Sequence, residues 1–198
     1  VPTGVHIQDP RRQLLDAAER VLLRDGPSGL TSRAVTAEAD CAKGVLHRHF
    51  ADFDDFLAEL VRERIARLED QAVSLRGAAG TGTVAGNLVT ALTGLFDPVA
   101  IGVVGLVVFR DELRARLRRA WPGIPVLTEA AALIAAYLTD ECDMGRIAAD
   151  ADVDSLALSL IGAGHLLFAG RDGSPPEPGE VEQVVTAVTA DVVQRRLL

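Results

Sequence analysis

The residues between Ala42 and Phe50 hold the chain's most suggestive chemistry. In a helix over this stretch, Lys43 and His47 share one face at i, i+4, with Gly44 and Arg48 beside them. Leu46 and Phe50 share a different face and form the natural packing edge. Cations and hydrogen-bonding groups on an outward face suit phosphates and base edges. Gly44 removes a side chain where such a helix must come close to a duplex. Helical hairpins also form inert bundles, so spacing alone leaves both readings open.

Other reactive groups point to weaker chemistry. His47 and His49 stand two apart, so on a helix they diverge and make a poor metal pair. His49 is better placed to fix the packing of its helix or to touch a phosphate. The run Asp150, Asp152, Asp154 opens like a calcium loop, but Ser155 stands where the loop needs Gly and Ile161 where it needs Glu. It reads as a turn that caps the next helix. Cys41 and Cys142 are far apart and lack metal-ligand spacing. Arg114, Arg116, Arg118 and Arg119 lie beside Asp111 and Glu112, which suggests a solvated face with local ion pairs. There is no supported Ser-His-Asp order, no Gly-rich phosphate loop and no paired metal ligand set. No catalytic residue, metal or cofactor is therefore expected.

Elements that position these groups follow from punctuation and period. The chain has 198 residues, 48% of them hydrophobic but only 4% aromatic, and Ala, Leu, Val and Arg dominate, which favours packed helices. Its net charge of −8 argues against a general nucleic-acid coat, although a few placed phosphate contacts can outweigh a distant acidic domain. The chain opens without an apolar leader, and the apolar run Val99 to Phe109 is too short to span a bilayer. A soluble, reduced, cytoplasmic protein is expected.

Asp9-Pro10 starts a helix that stops at Asp25-Gly26, and Thr31 caps a second that ends near Ala39, with Leu30 and Val35 as its staple. Asp40-Cys41 turns into the third helix, and Asp52 caps a long fourth with the stripe Phe56, Leu57, Leu60, Val61, Ile65 and Leu68. A glycine linker at 76–82 precedes a helix through Leu88, Leu92 and Leu95 and another over 98–109. Trp121 to Pro125 is a break, helices follow at about 126–142 and 152–170, and a last one runs from about 180 to 196. Two short helices joined by a three- to four-residue turn and braced by a longer one have the layout of a helix-turn-helix.

The stretch LLDAAERVLLRDGPSGLTSRAVTAEADCAKGVLHRHF, with DFDDFLAEL after it, resembles the DNA-binding domain of the TetR family over Arg11 to Leu60. Matches include Ala17-Ala18, Gly26, Leu30-Thr31, Ala39, Lys43-Gly44, Leu46 and His49-Phe50. The later GRIAADADVDSLALSLIGAGHLLFAG is similar to that family's next-to-last helix region. The resemblance implies an all-α protein, with a helix-turn-helix DNA-binding domain over 8–68 and a ligand-binding and dimerisation domain over 69–198. It places DNA contacts on Thr31, Ser32, Arg33, Lys43, Gly44, Val45, His47, Arg48 and His49.

It also implies a homodimer through helices about 152–170 and 180–196, with Gly162 and Gly164 permitting close approach and Val181, Val184, Val185, Val188 and Val192 forming a stripe. Two recognition helices would then sit about 34–36 Å apart on a pseudo-palindromic operator. An effector cavity between the fourth and eighth helices would be lined by Leu92, Phe96, Val103, Val107, Phe109, Trp121, Tyr137, His165 and Phe168, suited to a hydrophobic small molecule. For His165, a satisfied core or interface histidine is the competing role. The function expected is a ligand-released repressor; the alternative is a helical carrier or sensor without specific DNA binding.

Departures from the family pattern cluster in the head. Asp40 stands where Gly is common, and Ala42 where Ser or Thr caps the third helix, a loss of about 1 kcal/mol. Val45 replaces a phosphate-bonding Thr and His47 replaces Tyr. Phe53, flanked by Asp52, Asp54 and Asp55, replaces the phosphate-gripping Lys that starts the fourth helix. Weaker binding that depends more on Lys43, Arg33 and Arg48 is expected.

Overall fold

The structure, a computed structural model, describes residues 9–171 and 174–193, and its described residues are helices and turns with one isolated bridge. The first three helices are α1 (Pro10–Gly29), α2 (Ser32–Glu38) and α3 (Lys43–His49). Asp9 caps α1 by accepting the Arg12 N–H at 3.1 Å, and Pro10 sits at its first position, where no N–H is needed. The helical path breaks at Gly26, whose φ of 69° is open to glycine, so Pro27 to Gly29 form a separate terminal turn. Thr31 caps α2 through the Ala34 N–H. Asp40 makes the turn at φ 48°, a left-handed conformation that Asp tolerates better than most residues.

α4 (Phe53–Gly77) starts at Asp52, which accepts the Asp55 N–H at 2.7 Å, and runs unbroken from the head into the rest of the chain. Its stripe from Phe56 to Leu68 is buried as its period requires. The remaining helices are α5 (Val84–Leu95), α6 (Pro98–Phe109), α7 (Asp111–Leu117), α8 (Leu127–Asp143), α9 (Val153–Ala169) and α10 (Pro178–Thr189). α8 packs on α4 and α9, α10 packs on α5 and α9, and α6 packs on α1. Within this packing Tyr137 donates to Glu141 at 2.6 Å and accepts from Asn87 at 3.0 Å. Arg146 closes the other side of Glu141 and donates to the carbonyls of Thr81 and Gly82, which ties down the loop after α4.

Three sequence expectations change. The basic run is partly a helix of its own, α7, whose Leu113 and Leu117 are buried. The last helix ends at Thr189 rather than near 196, because the chain turns to pair Val193 with Ile147 and to give the Val192 carbonyl to the Ala148 N–H. Residues 194–198 of that expected helix lie outside the described residues. The valine stripe of α10 does not face outward. Val181 and Val185 are buried in the chain's own core, and Gly164 faces inward, where a Cβ would come within 2.6 Å of the Phe96 ring. α9 instead turns Leu158, Gly162 and Leu166 to the surface, with Leu166 77% exposed.

No single helix among the described residues is long and apolar enough to cross a membrane; α5 and α6 together reach that length but meet at 64°.

Candidate nucleic-acid interface and a neighbouring cavity

α3 is held by its apolar edge and leaves its polar edge free. Leu46 and Phe50 are buried, and Phe50 meets Phe56 of α4 edge to face at 5.1 Å. Arg11 of α1 stacks its guanidinium 4.7 Å over Phe50 and donates to the His49 carbonyl at 3.3 Å, which braces the end of α3. Lys43, Gly44, His47 and Arg48 all stay exposed, while Val45 and His49 are half-buried. A Cβ on Gly44 would meet nothing within 4 Å, so internal packing does not call for glycine there.

On α2, Arg33 is exposed, Thr31 spends its oxygen on the cap and Ser32 is half-buried. Among the described residues, no carboxylate pairs with Arg33, Lys43 or Arg48, whereas Arg11, Arg12, Arg20 and Arg24 of α1 all have acidic partners. Three uncommitted cations on one exposed surface suit a polyanion. Ala42 offers α3 no side-chain cap, as expected of an alanine there.

The acidic start of α4 is not bare. Arg116 of α7 pairs with Asp52 at 2.8 Å and Asp55 at 3.6 Å. Arg110 pairs with Asp54 at 3.0 Å and lies 5.7 Å over the Phe53 ring. The bond from Arg116, with the Asp55 N–H behind it, holds the Asp52 carboxyl below the usual range. Arg114 does pair locally with Asp111, but Arg110 and Arg116 reach across to the head.

A cavity of about 570 Å³ opens where α1 meets α5, α6 and the end of α9. Phe96 and Phe168, both expected in a ligand cavity, stack at 5.5 Å and line it. His165 lies beside Phe96 with its Nδ1 buried and unpartnered, and burial pushes its pKa down. The other expected lining residues are not gathered there. Leu92, Val103 and Val107 are closed core, and Tyr137 serves the Glu141 network. Phe109 is 83% exposed at the end of α6, and Trp121 sits half-exposed in the break before α8. A smaller space of about 190 Å³ lies between α4, α5 and α8, where the expected cavity was placed.

Sequence reasoning missed the wall that comes from the head, Leu22, Leu23 and Pro27 of α1, as well as Thr93 and Ile101 of the body. Gly102 and Gly105, three apart on an otherwise apolar helix, were the available signal. A Cβ there would meet Leu22 at 3.4 Å and Pro27 at 3.0 Å.

A three-helix head with an exposed second short helix, joined by one long helix to a helical body, defines a helix-turn-helix protein with an appended domain. Residues 14–60 match the family described as "Bacterial regulatory proteins, tetR family". The head is thus similar to the DNA-binding part of a family of bacterial regulatory proteins. The HTH-type transcriptional regulator PksA of Bacillus subtilis is 32% identical over 77 residues, which cover 37% of this chain and 38% of that protein. The match thus spans well under half of that relative's length. FadR from Bacillus subtilis, solved in complex with stearoyl-CoA, has a TM-score of 0.69 at 18% identity, over 90% of this chain and 97% of that one. NemR of E. coli, in its reduced form, has a TM-score of 0.74 at 15% identity, over 96% and 100%. These two likenesses establish the fold.

Proposed function

We propose that the chain is a cytoplasmic, ligand-responsive transcriptional repressor that binds a pseudo-palindromic operator as a homodimer and lets go when a hydrophobic small molecule binds. The observation that carries this is the outer surface of α2 and α3, where Arg33 of α2 and Lys43 and Arg48 of α3 stand exposed with no acidic partner among the described residues, α3 being anchored by Leu46 and Phe50. Thr31, Ser32, Gly44, Val45, His47 and His49 complete the surface offered to the duplex. The head spans about 8–68, and the following 69–198 supply dimerisation and effector binding. The dimer forms through the outward stripe Leu158, Gly162 and Leu166 of α9, continued by the exposed face of α10. FadR, solved on this fold with stearoyl-CoA, supports an effector with a large apolar part, as the stearoyl chain is.

The test is fluorescence anisotropy on duplex DNA from the protein's own upstream region, beside a scrambled duplex, across a salt series. Selective binding at two protomers per site is expected. Lys43→Ala should lower affinity about tenfold and reduce the salt slope by about 1, as loss of one phosphate contact does. Unchanged affinity in Lys43→Ala would remove α3 from the interface. Equal binding to both duplexes, with small-molecule binding intact, would favour a carrier.

A further inference from the structure

We infer that the cavity between α1 and α6, at the junction of head and body, is a binding site for an uncharged apolar molecule of drug-like size. As the effector site of the regulator reading above, it rests on that reading only for its consequence at DNA. Its volume of about 570 Å³ lies well inside the range of about 300–1,000 Å³ that small-molecule sites occupy. Leu22 and Pro27 form one wall, Phe96 and Phe168 the stacked floor, and Ile101 the opposite side.

The charge on the ligand follows from the rim. Among the described residues, two ionised side chains reach the cavity, and each is already paired. Asp97 Oδ2 is paired with Arg64 at 2.7 Å, and its Oδ1 caps α6 through the Ala100 N–H. Arg171 Nη2 donates to both Glu180 carboxylate oxygens, at 2.5 and 2.6 Å. A charged ligand would have to break one of these pairs or desolvate without a partner. At the rim the Thr93 hydroxyl, which donates to the Val89 carbonyl at 2.8 Å, keeps an acceptor position, and the Ser174 hydroxyl also stands there for a single polar group.

The two sides of the cavity belong to different parts of the molecule. Immediately beside it, α1 and α6 are in tight contact through Gly102 and Gly105, so this seam has little slack. Any shift of the head on the body changes the cavity's shape. An occupant therefore binds unequally to different head positions, and it shifts their populations by that difference. If the head reads DNA, the coupling is reciprocal: the ligand alters operator affinity by the factor by which the operator alters ligand affinity.

The experiment uses the full chain and the neutral apolar fluorophore N-phenyl-1-naphthylamine. Saturable binding at one site per chain is expected. Ile101→Trp and Thr93→Trp, which fill the cavity from α6 and from the exposed side of α5, should each weaken it by about tenfold or more. Thr90→Trp, at the smaller space between α4, α5 and α8, should leave it unchanged. Circular dichroism melts confirm that each variant is folded, and either filling variant suffices. No saturable binding by the wild-type protein overturns the site, as does a loss seen in Thr90→Trp but in neither filling variant. Fluorophore binding at the seam by a protein that binds no duplex upholds the site and defeats the regulator reading instead.

Discussion

Two of the seams between head and body have opposite chemistry. At one, Leu22 and Pro27 of α1 pack against the glycines of α6 beside an open apolar cavity. At the other, the carboxylates that begin α4 are held by Arg110 and Arg116 on the surface. The first excludes water and gains its free energy from apolar burial, which salt and moderate pH leave almost untouched. The second is solvated and screened, so it contributes little to stability. It sits, however, next to the end of α3, where neighbouring charge matters most to a polyanion. The two seams therefore play different parts. In the reading proposed above, the apolar one holds and senses, and the ionic one sets the electrostatic surroundings of α3.

The largest effect should come from opening the apolar seam. Leu22 is 4% exposed and fills the space beside Gly102. Leu22→Ala should lower stability by about 3 kcal/mol, the middle of the range for deleting a buried leucine side chain. Urea unfolding at low and high salt measures it, and the loss should be the same at both. A loss below about 1 kcal/mol would mean that the site collapses freely and the seam is not tightly packed.

The apolar seam was the part least legible in the sequence. Periodicity and caps marked the helices well, because Asp9, Thr31, Asp52 and Asp97 each leave a local signature and each does cap. The exposed edge of α3 was legible for the same reason, since Leu46 and Phe50 fix which edge turns inward. The cavity depends on which helices meet, and α1 meeting α6 is a tertiary fact that no local pattern carries. So Phe96 and Phe168 were found by composition, whereas Leu23 and Pro27 were not, and exposed Phe109 looked like lining because only its type was visible. The valines of α10 misled in the same way: a stripe at helical spacing says that one face is buried, not whether a partner or the chain itself buries it. α7 was hidden by its arginines, which read as solvated surface until Asp52, 64 residues away from Arg116 in sequence, came into view.

Removing the ionic seam should leave stability nearly unchanged and act on DNA. In the double variant Arg110→Ala, Arg116→Ala, the carboxylates of Asp52, Asp54 and Asp55 lose their cationic neighbours. Operator affinity should then fall by about three- to tenfold at low salt through repulsion of nearby phosphates, and the deficit should fade as ionic strength rises. Anisotropy titrations of variant and wild type across a salt series measure this. A deficit that persists in high salt would mean that the arginines act by shaping the head rather than by charge. The contrast with Leu22→Ala, costly to stability and blind to salt, is what separates the two seams.

The smallest effect, and the most direct test of the ionic seam, is on a single proton. The Asp52 carboxyl is held below its ordinary pKa first by the bond from Arg116 and then by the Asp55 N–H. A depressed carboxylate favours the folded state at every pH above its unfolded pKa, and that favour is lost as pH falls through the lowered value. The Arg116 pairing is therefore complete at neutral pH and comes apart only in acid, below the ordinary aspartate value of about 3.9. In Arg116→Ala the Asp52 midpoint should move up toward that ordinary value. It should stop short of it, because the cap bond to α4 survives. Carboxyl chemical shifts followed through an acid titration report the midpoint in both proteins. An Asp52 midpoint identical in the two would show that the cap alone depresses it, and that Arg116 lies against the head without holding it.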